Sequence, residues 1–131
     1  MQNLIIWAKG GSGLGDLEKS LATDFELLLA WNRGAEIVGK RIGSVWTIPK
    51  DNPESYAHPT QKPVLLAAQA IQCFCPPGKR VLDPFSGSGT VLSAAEQTGR
   101  LCSAVELEPR YVALTLERAA GLGLAPVTIT G

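Results

Sequence analysis

The sequence has little to spare in several categories, and each shortage excludes something. It carries no net charge: 12 Lys and Arg stand against 12 Asp and Glu in 131 residues. The balance also holds on both sides of Lys62, seven against seven through that residue and five against five after it. There is thus no bulk basic signature of nucleic-acid binding. Histidine occurs once, at His58, and cysteine three times, at Cys73, Cys75 and Cys102. An odd count builds no closed disulfide framework, and Cys73-Phe-Cys75 has the wrong spacing for a zinc knuckle. The thiols read as buried and free, as in a reducing cytosol. No apolar run approaches the ~20 residues of a membrane span. The uncharged start, with its short apolar run Leu4 to Ala8, does not read as a signal peptide, so a cytoplasmic protein is expected. Length suits one domain.

What is present falls into two compositional regions. Leu4-Ile-Ile-Trp-Ala8 is a compact β-branched and aromatic run, read as a strand. Gly10 to Gly15 holds four glycines in six residues and cannot be regular structure; a flexible linker and a substrate-facing loop both suit it. Phe25 to Trp31 is a second apolar run, closed by the turn signal Asn32-Arg-Gly34. It reads as the partner strand of a hairpin, although its Leu and Glu also suit a helix. Val45 to Ile48 is a short strand candidate in a loop-rich stretch. Trp31 and Trp46 are expected to pack in the core or at a sheet edge. Thr60 is placed to cap a helix with Pro63 in its first turn. Val64, Ala67, Ala68, Ile71 and Phe74 give that helix one apolar face, and Pro76-Pro77-Gly78 ends it.

Arg80 to Thr90 organises the rest. Val81 and Leu82 form a short apolar strand ending in Asp83. Pro84 stops it, Gly87, Ser88 and Gly89 turn the chain, and helix formers follow from Val91. Glycine lets a ligand approach where a Cβ would collide, and the helix start aims free N–H groups at it. A second strand, Leu101 to Val105, ends in Glu106, placed to meet the two hydroxyls of a ribose. Gly99 reads as the glycine after a helix end and Pro109 as the first residue of a last helix. Ala125 to Thr130 is a short strand or a frayed terminus. The dinucleotide pattern G-x-G-x-x-G is incomplete, since Leu92 stands where the third glycine belongs. The Gly-Lys-Ser/Thr of a P-loop is absent too. The layout therefore suits a nucleoside without a pyrophosphate, and an ordinary strand–turn–helix with Asp83 as cap has the same spacing.

Asp83-Pro-Phe-Ser-Gly-Ser-Gly-Thr90 resembles the cofactor motif of the DNA amino-methyltransferases, which methylate adenine N6 or cytosine N4 with S-adenosylmethionine. His58-Pro-Thr-Gln-Lys-Pro63 is similar to that family's other cofactor motif, and Val105-Glu-Leu-Glu-Pro-Arg-Tyr111 to its ribose-binding strand end. The order of the three resembles the permuted subgroup, in which the catalytic part precedes the cofactor part. The resemblance spans roughly Leu4 to Ala120. It implies an α/β fold: a partial Rossmann-like methyltransferase sheet with a β-hairpin at its edge and its central strands missing. It implies one partial domain, with residues 1–57 as hairpin and loop region and residues 58–124 as a cofactor-binding βαβα region. Asp83, Phe85, Gly87, Gly89 and Thr90 would cradle the cofactor's amino-acid and sugar parts, and Glu106 would hold the ribose. Thr60, Gln61 and Lys62 would line the methionine end, where Lys62 meets a carboxylate. Double-stranded DNA is the implied partner.

The family's catalytic string, Asp/Asn/Ser-Pro-Pro-Tyr/Phe/Trp, does not occur. Cys75-Pro-Pro-Gly78 lacks both the acceptor and the aromatic, and Asp83-Pro-Phe85 lacks the second proline. The string lies upstream of the hairpin in the permuted family, so this chain resembles the C-terminal part of such an enzyme. No catalytic residue is assigned and no metal is expected. A second polypeptide that supplies the motif, a non-catalytic cofactor-binding or assembly module, and an inactive remnant are the readings this leaves. A nicotinamide oxidoreductase is disfavoured by the missing glycine and by the His58 to Pro63 string, which has no role there.

Overall fold

The structure is a computed structural model. It describes residues 2–11, 19, 21, 23–31, 34, 36–39, 41–51 and 61–129. Strands β1 (Gln2–Ala8) and β2 (Phe25–Trp31) pair antiparallel, from Gln2↔Trp31 to Ala8↔Phe25. The expected hairpin pairing is therefore present, while most of the glycine-rich connection, from 12 on, lies outside the described residues. Strand β3 (Val45–Thr47) adds an interaction that the linear pattern did not announce. It pairs parallel to β1 on its other side, Ile6↔Val45 to Ala8↔Thr47, giving a sheet ordered β2-β1-β3. Alternation along β1 turns Ile5 and Trp7 to one face, where Trp46, Ile48, Leu66 and Cys73 join them in a core. Trp7 is 2% exposed, and its Nε1–H donates to the Ile48 carbonyl at 2.7 Å, so the indole is buried with its polar atom satisfied. Trp46 is core as expected, whereas Trp31, at the end of the outer strand, is 64% exposed.

Helix α1 (Val64–Phe74) begins after Pro63, which is its N-cap residue and makes no side-chain cap bond. Thr60, expected as a cap, lies outside the described residues. The expected single apolar face is in fact two. Leu66 and Cys73 enter the core of the first sheet. Ala68 and Ile71, flanked by Val64 and Ala67, pack on Ala94 and Ala95 of the next helix and on Val81 and Cys102. Burying each large side chain contributes roughly 1.5–3 kcal/mol, so α1 joins the two halves through apolar packing on both sides.

The second half is a strand–helix–strand–helix unit. Strands β4 (Arg80–Asp83) and β5 (Leu101–Ala104) pair parallel, Arg80↔Leu101 to Asp83↔Ala104. Helix α2 (Thr90–Gln97) crosses between them, and helix α3 (Pro109–Gly121) follows β5. Gly99 closes α2 with φ +69°, and the Arg100 N–H returns to the Ala95 carbonyl. Pro109 opens α3, as expected. The two sheets share no ladder among the described residues: β4 pairs only with β5, and β2 only with β1. Residues 125–129 form no strand. All three cysteines are free; burial pushes the Cys73 and Cys102 thiols up, away from thiolate.

Candidate cofactor site

Parallel pairing brings the ends of β4 and β5 side by side, and the loops beyond them are stitched together. The Val105 N–H donates to the Asp83 carbonyl at 2.9 Å, and the Ser86 N–H donates to the Val105 carbonyl at 3.0 Å. Asp83 Oδ1 accepts the Phe85 N–H at 3.2 Å, a local turn bond that a short acid at a strand end makes readily. Phe85 itself is 88% exposed. Gly87 and Gly89 have φ of +51° and +80°, so both occupy backbone conformations that favour glycine. At Gly87 the space where a Cβ would stand is open. At Gly89 an added Cβ would lie 3.0 Å from both Cγ2 and Oγ1 of Thr115. Gly89 is the N-cap of α2, and Thr90 is its first residue.

Glu106 closes the turn from the β5 side. Its Oε2 accepts the Gly87 N–H at 2.7 Å, and its Oε1 accepts the N–H groups of Leu107 and Glu108, both at 2.9 Å. The backbone bonds from Glu108, Gly87 and Leu107 outweigh the slight effect of burial and hold this carboxyl below the usual carboxylate range. A carboxylate offers roughly four acceptor sites, so with three taken, one remains on Oε2. A cleft of about 470 Å³ opens beside Glu106, lined by Ser86, Leu92, Val105, Val112 and Thr115 among others. Of the turn residues singled out from sequence only Glu106 lines it, and Cys102 to Ala104 of β5 and Pro126 to Ile129 complete its wall.

Of the residues singled out from sequence, Asp83, Phe85, Gly87, Gly89, Thr90 and Glu106 gather at this one turn. Gln61 reaches it from the start of α1: Ser88 Oγ donates to Gln61 Oε1 at 2.9 Å, and Arg118 Nη2 donates to the same oxygen at 3.4 Å. The Lys62 ammonium lies 2.5 Å from the Glu26 carboxylate, a group of the chain itself and not the ligand carboxylate expected for it. Thr60 lies outside the described residues.

Sequence reasoning passed over Ser88, Thr115, Arg118 and Glu26. Thr115 Oγ1 donates to the Gly87 carbonyl at 3.0 Å, fixing the turn from α3. Arg118, one turn along the same helix face, carries a buried Nη1 without a hydrogen-bond partner. Their i, i+3 spacing was readable, but not what they face. Glu26 was visible as the one charged residue in an otherwise apolar strand. Among the described residues no cluster of His, Cys, Asp or Glu is arranged to hold a metal ion.

The geometry can be set beside known proteins. The chain is 38% identical to the DNA adenine methyltransferase YhdJ of Escherichia coli K12 over 79 residues, 58% of this chain and 27% of that protein. It is 40% identical to the type II methyltransferase M.XycI of Xanthomonas campestris pv. cyanopsidis over 78 residues, 60% of this chain and 26% of that protein. It therefore spans about a quarter of the length of these curated relatives. Among solved structures, the M1.HpyAVI–SAM complex superposes with a TM-score of 0.74 at 27% identity, over 88% of this chain and 60% of that one. The fold is thus a partial Rossmann-like methyltransferase sheet, with the hairpin of β1 and β2 attached through α1. A family model described as DNA methylase matches residues 30–117, from the end of β2 into α3, and the chain belongs to that family.

Proposed function

We propose that this chain is the cofactor-binding portion of a DNA methyltransferase that uses S-adenosylmethionine and acts on adenine N6 or cytosine N4. The observation that carries the reading is the joint between Glu106 and Gly87, which sets an anionic acceptor against an open glycine turn. The residues fit a nucleoside methyl donor. The turn supplies close backbone approach at Gly87, Glu106 supplies an acceptor for a ribose hydroxyl, and no lysine follows Gly89 to hold a pyrophosphate. When bound, S-adenosylmethionine supplies a methyl group on a positively charged sulfur. Asp83, Phe85, Gly87, Gly89 and Thr90 would cradle it, with exposed Phe85 free to cover a ring. Thr60, Gln61 and Lys62 would face its methionine end. We keep the division into a hairpin and loop region, 1–57, and a cofactor-binding region, 58–124.

Transfer to an exocyclic amine asks for more. The amine's lone pair is delocalised into the base, so acceptors must draw on its N–H bonds while the base is held out of the stack. The Asp/Asn/Ser-Pro-Pro-aromatic string that would supply them does not occur in the sequence. We propose that a second polypeptide brings it, acting on double-stranded DNA in the cytoplasm. The surface of the first sheet supports this. Leu4 pairs with Leu29, Ile6 with Leu27 and Ala8 with Phe25, so these side chains share one face. Leu4, Phe25, Leu27, Leu29 and Trp31 on that face are exposed. An apolar sheet face beside an open edge is what remains when covering elements lie outside these 131 residues. No helix among the described residues is long and apolar enough to cross a membrane.

Titration calorimetry with S-adenosylmethionine, alongside methyl transfer to unmodified DNA with and without a polypeptide carrying the string, tests the proposal. Binding by the chain alone and transfer only with the partner is the expected pattern. Binding without transfer in either case marks a non-catalytic module, and no binding marks an inactive remnant.

A further inference from the structure

Gln61 and Lys62 are neighbours, yet their side chains reach opposite halves of the molecule. Gln61 is held at the glycine turn by Ser88, and Lys62 is held at the hairpin by Glu26. Glu26 is shared. Its Oε1 lies 3.0 Å from the Lys9 ammonium and its Oε2 lies 2.5 Å from that of Lys62. Lys9 is buried, with its side chain 7% exposed, and Glu26 is the anion its ammonium meets. Both ammonium groups also lie over the Trp7 ring, 5.8 and 5.6 Å from its centre. That ring is fixed in turn by its bond to the Ile48 carbonyl.

We propose that Glu26 is a positioning residue for the methionine end of the cofactor: with Lys9 and Trp7 it holds the ammonium of Lys62, whose chain neighbour Gln61 meets Ser88 of the glycine turn. The inference rests on the cofactor reading above and adds residues that reading does not contain. Two cations and one anion leave the cluster with a single net positive charge, which attracts a carboxylate. The Lys62 side chain is half exposed, at 51%, so its ammonium can still donate to a ligand while one of its hydrogens serves Glu26. A free surface lysine would lose rotamer freedom on capturing a carboxylate, and here that ordering is already in place. Burial opposes ionisation of Glu26, but the hydrogen bonds and charges of Lys62 and Lys9 outweigh it and hold the carboxyl below its usual range. Glu26 is therefore ionised at neutral pH.

The test is a double-mutant cycle read with two ligands. One is S-adenosylmethionine; the other is 5′-methylthioadenosine, which keeps the nucleoside and lacks the amino-acid end. Charge-assisted bonds of this kind lead us to expect about tenfold weaker S-adenosylmethionine binding for Lys62→Met and about three- to tenfold for Glu26→Gln. The double variant should bind no more weakly than Lys62→Met, and 5′-methylthioadenosine should bind all of them alike. Glu26→Gln strands a buried Lys9, so the cycle is repeated on Lys9→Met, where that ammonium is gone and the same coupling is expected. Equal losses for both ligands, or losses that multiply in the double variant, overturn the inference. If the unaltered chain binds 5′-methylthioadenosine and Lys62→Met leaves S-adenosylmethionine affinity unchanged, the nucleoside pocket stands and the Glu26 role falls. If the unaltered chain binds neither ligand, the cofactor reading itself is wrong and takes this inference with it.

Discussion

The Glu106 carboxylate accepts the Gly87 N–H at 2.7 Å, across the 19 residues that separate the end of β5 from the glycine turn after β4. One side chain thus sets the shape of the turn and offers an acceptor to whatever occupies it. Glu106→Gln keeps the size and turns one oxygen into a donor, which cannot serve both the Gly87 N–H and the two N–H groups on the other side. Hydrogen bonds to charged groups are worth about 1.5–3 kcal/mol, and Glu106 is partly exposed, so a stability loss of about 1 kcal/mol is expected. S-adenosylmethionine affinity should fall about tenfold, the loss of roughly one such bond. Urea denaturation and calorimetry on the same variant check both.

Acid should reveal the two carboxylates. Glu26 and Glu106 are both held below their usual range in the folded chain. A folded value below the unfolded one, about 4.3 for Glu, means stability fully present above that pH and lost as pH falls through the lower folded values. Denaturant midpoints should therefore be flat near neutrality and decline below about pH 5. The decline should be shallower in Glu106→Gln and in Glu26→Gln. An identical acid profile in all three proteins contradicts the assignment.

Gly89 carries two separable constraints. Its φ of +80° is unfavourable for a side chain, and a Cβ would press on Thr115 at 3.0 Å. Gly89→Ala should cost about 1–2 kcal/mol from the backbone alone, with the steric contact added. Thr115→Ser in that background removes the methyl and keeps the hydroxyl that bonds the Gly87 carbonyl. It should relieve the contact with Cγ2 alone, leaving the 3.0 Å approach to Oγ1 and the backbone cost, measured as a small partial recovery of the thermal midpoint.

Arg100 ties the ends of two helices. Its Nε and Nη2 donate to the Cys75 carbonyl, at 3.1 and 2.7 Å, and its Nη1 donates to the Thr98 carbonyl. These are carbonyls that a helix end leaves without partners. Arg100→Met keeps much of the apolar stem and removes the donors; a loss of about 1–3 kcal/mol is expected in denaturant titration. Arg100→Lys should recover only part of it, since one ammonium cannot reproduce the fork.

The glycine turn was legible because local chemistry dictates it. Gly87 and Gly89 make the turn read after Asp83, both with positive φ, Gly99 closes α2, and Pro109 opens α3. The hairpin was legible from two apolar runs and a turn signal. Other features depend on contacts distant in sequence. The parallel pairing of β3 with β1 joins residues about 40 positions apart, and three residues are too few for a pattern to declare their partner. The second apolar face of α1 was hidden because Leu66 and Cys73 face a sheet whose position no helical period reveals. Lys62 was expected to meet a ligand's carboxylate and meets Glu26, 36 residues away, since an acid in a strand does not announce which cation it will reach. Gln61 was assigned to the methionine end from resemblance, and its contacts with Ser88 and Arg118 emerged only from the packing of α3.

The most direct measurement is calorimetric titration of the 131-residue chain with S-adenosylmethionine, compared with Glu106→Gln under the same conditions. Saturable binding at one site per chain, weakened about tenfold by the substitution, is the result expected for a carboxylate that holds the ribose through one charge-assisted bond. A chain that is folded yet takes up no S-adenosylmethionine, or binds it equally well with Gln at position 106, contradicts the account.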